Sequence, residues 1–535
     1  MRKKPWFTML ALTTTATFLL AGCGSTTTTS GNSGNSTGSN STGAGSSSAT
    51  SKPAVNNNTL VIADGLGDPQ SFDPISTFTI AWGEIANNIF DGLVYRGPDL
   101  KIQPGLATSW KYTDPKTLEF TLRQGVKFQD GEPFNAQAVK YTFDRLLADQ
   151  KSPQLSNYTS IQSVQVVDST HVIFHLKSVD PVLITKLAGY GGMIVPPQYI
   201  QKHGETYFAT HPIGTGAYQV VSYKPGSSVT LKANPSYWRG APKIQNVDIK
   251  FVPDANTRMS MMQAGSVDIV EAVPPAQASL VKNDANFNLD AVGSPTVSEI
   301  RFDVTKKYLN NQDVRQALNY AIDKNAIIQK ILNGYGKPIS TFQGAQSFGN
   351  DPSLQPYPYD PQKAQQLLQK AGVPKGTTLT LDYDGSDSTF AEVAQAVQEE
   401  LQQVGINLKL QPEDTNTFYN QLIPQGKAGD MHEFGWGGWT LDFDNTAELL
   451  YSKGQFWNPD FSNPQITALL NQERSTNDQN VRQQAFFKMD KLLQQLAIEV
   501  PLYQQETIWA VRNNIQGWTT PPDERMDLWD VSFSN

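Results

Sequence analysis

A single cysteine, Cys23, is the feature that most constrains how this 535-residue chain can fold. One thiol cannot form an intramolecular disulfide, so the folded body has to be held together by packing alone. Cys23 follows a basic start at residues 2–4 and an apolar stretch at residues 6–20, which is too short to span a bilayer comfortably. This arrangement is typical of a secretion signal, and we predict a signal peptide at residues 1–22.

The residues around Cys23 also resemble a bacterial lipobox, in which a small pair, here Ala21-Gly22, directly precedes the cysteine. The resemblance implies cleavage before Cys23 and transfer of a diacylglyceryl group to its sulfur. An ordinary signal peptide followed by an incidental cysteine is the alternative. Two or three acyl chains would hold the protein stably on the outer face of the cell membrane, or in the periplasmic space if the organism has an outer membrane.

A tract made almost wholly of Ser, Thr, Gly and Asn follows at residues 23–58. This composition cannot bury a core, and we expect the tract to be a disordered linker. As a flexible coil of about 35 residues it would span roughly 30–35 Å, so a folded body could sit at a distance from the membrane that holds its lipid.

The remaining chain, residues 59–535, is too long for one compact core, and we expect two or three domains. Its first half is rich in strand patterns, whereas helical and strand patterns alternate past about residue 300, which is typical of an α/β domain. Hydrophobic periodicity predicts helices over residues 80–93, 313–332 and 446–451, and Asn135 is expected to cap a further helix. The alternation of residues 117–122 predicts a strand. The net charge is −8 and no basic stripe is present, which argues against nucleic acid as a partner.

A series of short motifs lies in order along this body and resembles the signature of extracellular solute-binding proteins of the peptide/nickel ABC transporter family. The motifs are residues 106–110, 118–123, 125–131, 136–143, 214–218, 234–238, 253–258, 265–268, 314–323 and 359–364. The resemblance implies an α/β, two-lobed, periplasmic-binding-protein-like fold of type II, with an extra subdomain in lobe one. It also implies a hinge, a central ligand cleft and delivery of the ligand to an ABC permease complex in the membrane.

We predict lobe one at residues 59–302 plus 508–535 and lobe two at residues 303–507. The extra subdomain is expected at about residues 95–212. The chain would then cross between the lobes near residues 300–303 and 507–511, which form the predicted hinge. We expect the protein to act as a monomer.

The best candidate for ligand chemistry is the aromatic, glycine-rich run at residues 434–444. In peptide-binding relatives a Trp-x-x-Asp-aromatic run lines the cleft, and its Asp holds the α-ammonium group of the peptide. Trp439, Asp442 and Phe443 match that pattern. The resemblance therefore implies that Asp442 is the ligand anchor, since a carboxylate facing an ammonium group makes a charge-assisted bond.

Other residues of the predicted site have two interpretations. Trp436 alternates with Phe434 on a predicted strand, so it is expected either in the cleft or in the core. Phe78 and Phe418 occupy places where relatives have cleft-lining aromatic residues, and each of them could equally be core. Either Asp442 or Asp444 could cap the helix that follows; we expect Asp442 to be the anchor and Asp444 to be the cap.

The sequence contains neither a complete enzyme motif nor a clear metal site, and we expect no catalysis, no cofactor and no bound metal. A Gly-x-Ser-x-Gly match at residues 34–38 lies in the low-complexity tract, without the strand and helix that a hydrolase needs. His432-Glu433 begins a zinc-protease motif, but Trp436 replaces the second histidine. His432 is also the one histidine near the candidate site, where a nickel binder would need an imidazole ligand.

These observations predict a lipid-anchored extracellular protein that captures oligopeptides and delivers them to an ABC importer by hinge closure. One alternative is a binder of another solute on the same fold, either an oligosaccharide or a nickel chelate. A surface hydrolase and a sensor or adhesion lipoprotein are further alternatives. A sugar binder would keep the tryptophan residues without needing Asp442.

Overall fold

The computed structural model describes residues 58–534, so the predicted signal peptide, Cys23 and the linker before residue 58 lie outside the described residues. Up to residue 302 the strands are β1 (Thr59–Asp64), β2 (Val94–Arg96), β3 (Ile102–Pro104), β4 (Ala107–Asp114), β5 (Thr117–Leu122), β6 (Ile161–Val166), β7 (His171–Leu176), β8 (Tyr218–Lys224), β9 (Ser228–Ala233), β10 (Asn246–Phe251), β11 (Ile269–Val270) and β12 (Phe287–Phe302). The α-helices of this part are α1 (Ile80–Ile89), α2 (Ala136–Ala148), α3 (Leu183–Leu187), α4 (Pro197–His203), α5 (Glu205–Phe208), α6 (Ala255–Gln263) and α7 (Ala278–Lys282).

The second part of the chain is richer in helix. Its strands are β13 (Gly336–Pro338), β14 (Thr377–Asp384), β15 (Ile406–Glu413), β16 (Met431–Gly437), β17 (Glu499–Arg512), β18 (Ile515–Gln516) and β19 (Ser532–Phe533). Its helices are α8 (Gln312–Ala321), α9 (Lys324–Lys330), α10 (Pro361–Lys370), α11 (Ser388–Gln403), α12 (Thr415–Thr417), α13 (Phe443–Tyr451), α14 (Pro464–Arg474) and α15 (Gln479–Leu496). Within residues 58–534 no helix has both the length and the apolar character needed to cross a membrane.

One long mixed sheet runs through both lobes, in the order β15-β14-β16-β12-β17-β11-β1-β10-β9-β8, with β13 paired to β17 beside this path. The strands β12 and β17 are antiparallel neighbours at its centre, and they are long enough to belong to both lobes. The predicted α/β, two-lobed fold is therefore confirmed, and the connection between the lobes is a pair of strands.

The β12–β17 ladder is interrupted at its middle. Pairing with β17 runs from Phe287 to Gly293 and resumes at Val297, so residues 294–296 have no partner on β17. A second irregularity follows between Ser298 and Glu299. Before the break β12 packs in a cluster with Ile508, and after it the strand packs in a different cluster with Val500. Because a bulge removes ladder hydrogen bonds locally, residues 294–296 are a candidate for the first crossing between the lobes, and the predicted crossing near residues 300–303 stays a prediction.

Side-chain amides of two glutamines form hydrogen bonds around this break in the ladder. Gln504 Nε2 donates to the Ser294 carbonyl over 2.7 Å, and Gln346 Nε2 donates to the Gly293 carbonyl over 2.8 Å. The Ala345 N–H in turn donates to Gln504 Oε1 over 3.0 Å. We call these three contacts the amide clasp; they satisfy backbone groups that the broken ladder leaves without partners.

The extra subdomain of lobe one is a four-stranded antiparallel sheet in the order β4-β5-β7-β6, covered by α2. Phe120, Phe143 and Phe174 pack edge to face in its core, with ring centroids 5.3 and 4.9 Å apart. Asn135 caps α2 by accepting from the N–H groups of Gln137 and Ala138, as the sequence predicts.

Three helix predictions are corrected by local chemistry. The predicted helix 313–332 is wrong as one element, because the chain leaves the helical conformation at Ile322 and Asp323 caps a new helix by accepting from Ala326 N–H. The predicted helix 80–93 ends at Ile89, since Phe90 is already extended. The predicted helix 446–451 begins three residues earlier, at Phe443, which changes the interpretation of the residues before it.

Candidate ligand-binding site

A cavity of about 780 Å³ lies between the extra subdomain of lobe one and lobe two. Both lobes contribute to its wall. Lobe one supplies Phe78, Ser156, Asn157, Thr159, Ser160, Lys177, Ser178, Val179, Asp180, Pro181 and Lys186, and lobe two supplies Trp436, Trp439, Asp444, Asn445, Glu448, Leu449, Gln455, Phe456, Trp457 and Arg474. A closing or opening movement of the lobes would therefore change the shape of this cavity directly.

Trp439 forms the aromatic bridge between the lobes. Its ring lies edge to face with Phe78 of lobe one, at a centroid distance of 5.6 Å, and with Tyr190, at 5.7 Å. The close approach requires a glycine at position 189, because a Cβ there would lie 2.7 Å from the indole ring. Trp439 follows β16 in lobe two and packs against the core of lobe one.

A second aromatic group on the lobe-two side contains Trp436 and Trp457, whose ring centroids are 4.7 Å apart. Trp436 Nε1 donates to Thr446 Oγ1 over 3.1 Å, which fixes the orientation of the indole at the cavity wall. Of the predicted aromatic site residues, Trp436, Trp439 and Phe78 line the cavity. Their contact with a ligand stays a prediction.

Phe443 and Phe418 are not in the cavity, and their predicted place in the site is corrected. Both are at most 1% exposed and belong to the hydrophobic core of lobe two. Phe443 is the first residue of α13 and packs against Tyr451 and Phe486. The core interpretation, which the sequence left open for Phe418, therefore applies to both.

The two aspartates do not occupy the places expected from the sequence. Asp442 is only 4% exposed and is the N-cap of α13, where its Oδ1 accepts from the Asp444 N–H over 3.1 Å. Arg482 binds the same carboxylate through two N–H groups, at 2.8 and 2.9 Å. All of these partners belong to the protein itself. The prediction of Asp444 as the cap is wrong, since Asp442 is the cap, and the contacts of Asp442 argue against its predicted role as the ligand anchor.

Arg482 also contacts Glu473 at 3.1 Å, and we call Asp442, Glu473 and Arg482 the arginine network. Burial raises the pKa of the Asp442 carboxyl, and the adjacent guanidinium opposes that rise. Burial, followed by the nearby Asp444, raises the pKa of Glu473 to about 10, so Glu473 is neutral at pH 7. The network thus places one carboxylate against one guanidinium beneath the cavity wall.

Asp444 lines the cavity together with Glu448 and Arg474. Arg474 contacts both carboxylates through separate N–H groups. Burial would raise the pKa of Asp444, but a hydrogen bond with Glu473 and the charge of Arg474 outweigh it and hold that pKa below its usual value. Asp444 therefore stays ionised at the wall.

The facing wall in lobe one carries charges of its own. Lys186 Nζ lies 2.9 Å from Asp180, which also accepts from Ser160 Oγ over 2.6 Å. Lys177 Nζ donates only to the Thr159 carbonyl, over 3.2 Å, and no carboxylate of the described residues pairs with it. The lining residues thus carry three cations and three carboxylates, and Lys177 is the cation among them without an ionic partner.

Sequence reasoning missed Asp444, Glu448 and Arg474 as wall residues. The signal was present: a helix beginning after Asp442 places Asp444 and Glu448 four residues apart, on one face. The Trp-x-x-Asp pattern can also be aligned in a second way. If its tryptophan is taken as Trp436 instead of Trp439, then Trp439 stands in the place of the aspartate.

Comparison with known proteins identifies relatives over nearly the whole body. A family model described as bacterial extracellular solute-binding proteins, family 5, middle part, matches residues 101–458. The glutathione-binding protein GsiB of Salmonella typhi is 32% identical over 495 residues, covering 90% of this chain and 96% of that protein. The protein of the same name from Escherichia coli O6:K15:H31 is 30% identical over 496 residues, covering 90% and 95%.

Solved structures show the same fold. The ABC transporter substrate-binding protein CtaP of Listeria monocytogenes superimposes with a TM-score of 0.81 at 24% identity, covering 89% of this chain and 99% of that one. A dipeptide-binding protein from Pseudoalteromonas, in complex with Met-Leu, superimposes with a TM-score of 0.75 at 25% identity, covering 89% and 100%.

Proposed function

The chain belongs to family 5 of the bacterial extracellular solute-binding proteins, and from this membership we propose that it captures oligopeptides and hands them to the permease of an ABC importer. At the level of the family it is a substrate-binding protein of an ABC importer that acts outside the cytoplasm, in the extracellular or periplasmic space. The family role is binding rather than catalysis. The peptide ligand, the lipid anchor at Cys23 and the action as a monomer are parts of the proposal.

The observation that carries the proposal is the 780 Å³ cavity with walls from both lobes. Its volume falls within the range of about 300–1,000 Å³ that is usual for small-molecule sites. Phe78, Trp436, Trp439, Phe456 and Trp457 supply aromatic surface to it, which suits apolar side chains of varied shape. Ser, Asn and Gln side chains on the same walls can hydrogen-bond an extended peptide backbone.

The charges of the walls favour a zwitterion over a simple cation or anion. We assign the ammonium end of the peptide to Asp444, which is ionised, and the carboxylate end to Lys177, which has no ionic partner among the described residues. Charge-assisted hydrogen bonds of this kind are roughly twice as strong as neutral ones. Because the two groups lie on different lobes, a ligand with both charges would favour the closed arrangement.

The ligands of related proteins agree with this class. The relatives at 30–32% identity are named for binding glutathione, which is a short peptide, and the Pseudoalteromonas structure contains the dipeptide Met-Leu. The fold also carries nickel complexes, as in NikZ of Campylobacter jejuni with Ni(L-His), at 23% identity. Fold similarity alone therefore does not identify the ligand. The specificity of this protein depends on the residues that line its own cavity.

We further propose that the body is tethered to the membrane by lipid on Cys23 and that the lobes close by bending at residues 294–296 and the facing part of β17. Ligand contacts on both lobes would shift the population toward the closed state. Closure would then change the surface that the permease meets. Labelling with a radioactive fatty acid, lost in a Cys23→Ala variant, would test the tether.

Identification of the natural ligand is the decisive test of the peptide proposal. The protein is purified from its own host without denaturation, and the molecules that dissociate from it are identified by mass spectrometry. Short peptides with free amino ends support the proposal, whereas an oligosaccharide or a nickel chelate contradicts it. Recovery of peptides cleaved on prolonged incubation would instead support the hydrolase alternative.

Binding titrations add a quantitative test. Calorimetry with di- to pentapeptides and glutathione is compared with N-acetylated peptides, Ni(L-His) and oligosaccharides. Preference for free amino ends supports the role of Asp444, and equal affinity for acetylated peptides contradicts it. Loss of peptide uptake in a deletion strain separates transport from a role in sensing or adhesion.

A further inference from the structure

Three buried carboxyl groups from separate elements of lobe one meet away from the cavity. Asp64 is the last residue of β1, Glu271 directly follows β11, and Glu84 lies on α1. Each is at most 1% exposed, and one oxygen from each lies within 4.8 Å of the others. We call these residues the carboxylate cluster; none of them lines the cavity described above.

Only two of the six oxygens in the cluster accept hydrogen bonds from main-chain N–H groups. Asp64 Oδ1 accepts from the Leu66 and Gly67 N–H groups, the latter over 3.0 Å, and Glu271 Oε2 accepts from the Gly65 N–H over 3.0 Å. The other oxygens of both residues, Asp64 Oδ2 and Glu271 Oε1, are buried without a partner among the described residues.

Glu84 gives the independent indication of a ligand. Its side chain is fully buried, and both of its oxygens lack a hydrogen-bond partner in the described part of the chain. It reaches the other two carboxyl groups from α1. A buried, unpaired carboxylate is costly unless a cation or a proton compensates its charge.

The guanidinium group near the cluster does not bind these free oxygens. Arg258 Nε donates to the Glu271 carbonyl over 3.0 Å, and Nη2 donates to the Ala272 carbonyl over 2.8 Å. Its Nη1 donates to the carbonyls of Val252 and Pro253, at 2.7 and 2.8 Å. The N–H groups of Arg258 are therefore directed at the main chain, and three acidic side chains face at most one nearby cation.

From this geometry we propose that Asp64, Glu84 and Glu271 form a binding site for a divalent, oxygen-seeking cation, with Ca²⁺ as the best fit. The four free oxygens are hard ligands of the kind that Ca²⁺ and Mg²⁺ take in proteins. Oxygens on opposite sides of Ca²⁺ lie about 4.6–5.2 Å apart, and those around Mg²⁺ about 4.0–4.2 Å apart, since the ions bind at about 2.3–2.6 and 2.0–2.1 Å. The oxygens of the cluster lie within 4.8 Å of one another, so their separations do not exceed the distance across a Ca²⁺ ion. Ca²⁺ is favoured over Mg²⁺ because it accepts irregular geometry, whereas Mg²⁺ demands a near-ideal octahedron and gives up its water reluctantly.

A bound cation would join three elements that are distant in sequence. It would fasten α1 to the ends of β1 and β11, and α1 begins two residues after Phe78, which lines the cavity. The site is thus a structural ion site within lobe one. It does not depend on the identity of the transported ligand, so its test and that of the peptide proposal can fail separately.

The experiment titrates CaCl₂, and MgCl₂ in parallel, into the whole purified protein after dialysis against EDTA, at pH 7, by calorimetry and by thermal unfolding. We expect one Ca²⁺ per chain, weaker binding of Mg²⁺ and a higher unfolding temperature with Ca²⁺. Glu84→Gln keeps the shape of the side chain and should weaken Ca²⁺ binding more than about tenfold. If the wild-type protein shows no saturable binding of either ion at millimolar concentration, the proposal is overturned.

Glu433→Gln is the matched control. Glu433 is also fully buried with both oxygens unpartnered, but it lies on β16 and belongs to no cluster of acids among the described residues. We expect its substitution to leave Ca²⁺ binding unchanged. Equal loss in Glu84→Gln and Glu433→Gln, or binding retained in Glu84→Gln, would overturn the assignment. If Glu84→Gln does not fold, Glu271→Gln replaces it, and retained binding there overturns the assignment in the same way.

A cluster held by shared protons alone is the competing explanation. It predicts no response of the wild-type unfolding temperature to Ca²⁺ at pH 7, and that result would overturn the proposal. A rise of the unfolding temperature with Ca²⁺ that is absent in the Glu84→Gln variant supports it.

Discussion

The arginine network of lobe two and the carboxylate cluster of lobe one bury carboxyl groups in opposite ways. In lobe two the arginine network surrounds Asp442 with guanidinium N–H groups and a helix N-terminus, so the charge is compensated within the protein. In lobe one the carboxylate cluster has free oxygens and no side-chain cation bound to them among the described residues. The arginine network is therefore electrostatically complete around Asp442, whereas the carboxylate cluster depends on protons or on an ion from the medium. The following predictions test this contrast.

The largest effect is expected from removing the cation of the arginine network. Arg482→Gln leaves Asp442 buried without its partner, and breaking one side of a buried pair costs about 3–5 kcal/mol. Urea unfolding should show this loss in the free energy of unfolding. Lys243→Gln, which removes an exposed pair with Asp530, is the control and should have almost no effect. A loss of similar size in both variants would contradict the contrast between buried and exposed pairs.

The carboxylate cluster should make stability depend on pH. Burial, followed by the charges of Asp64 and Glu271, raises the pKa of Glu84 well above its ordinary 4.5. The unfolded chain then releases this proton as the pH rises past 4.5 while the folded chain keeps it, so this contribution to stability falls with rising pH. Each unit of pKa difference corresponds to about 1.4 kcal/mol.

Unfolding curves measured in EDTA between about pH 4 and pH 8 check this dependence. The Glu84→Gln variant should lose less stability than the wild-type protein over that range, because its amide does not titrate. Ca²⁺ should restore stability at the upper end in the wild-type protein only. Parallel pH profiles for both proteins would show that the cluster does not titrate as described.

A smaller effect, on ligand affinity, is expected from the wall of the cavity. Asp444→Asn should weaken binding of peptides with free amino ends by about 10–100-fold, the loss of one charge-assisted bond, and leave N-acetylated peptides unaffected. Asp442→Asn is the matched variant two residues away. It should lower the unfolding temperature while keeping the preference for free amino ends. If Asp442→Asn alone abolishes that preference, the assignment of the ammonium end to Asp444 fails.

The smallest effect is expected at the contact between the lobes. Gly189→Ala would place a methyl group 2.7 Å from the Trp439 ring and so push the indole out of its position against lobe one. Because Gly189 does not line the cavity, affinity for all ligands should fall together, by about 3–10-fold, through a smaller closed population. Small-angle X-ray scattering with saturating ligand should show a larger radius of gyration than for the wild-type protein. An unchanged radius would mean that Trp439 does not hold the lobes together.

Local chemistry was predictable from the sequence where the deciding residues are neighbours. Asn135 is the predicted N-cap of α2, and the alternation of residues 117–122 predicts β5 with its observed bounds. The break at Ile322 and Asp323 was not recognised, because apolar periodicity continues across it although Asp323 caps a second helix. A capping aspartate inside a periodic stretch was the available signal.

The site was predictable only in part, because its decisive contacts are distant in sequence. Trp436, Trp439 and Phe78 were expected in the cleft and line the cavity. The contacts of Asp442 were not predicted, because its partner, Arg482, is forty residues further along the chain, on another helix. Composition and spacing around residue 442 give no indication of that partner.

The amide clasp at the break in the β12–β17 ladder has a consequence for how the protein meets its surroundings. The groups that hold this bending point carry no net charge and do not titrate between acid and alkaline conditions. Salt and acidity in the external medium, which a bacterium does not regulate, should then have little influence on how readily the halves open. Uptake should then stay steady in media of very different composition, even where the stability of lobe one varies with pH and Ca²⁺.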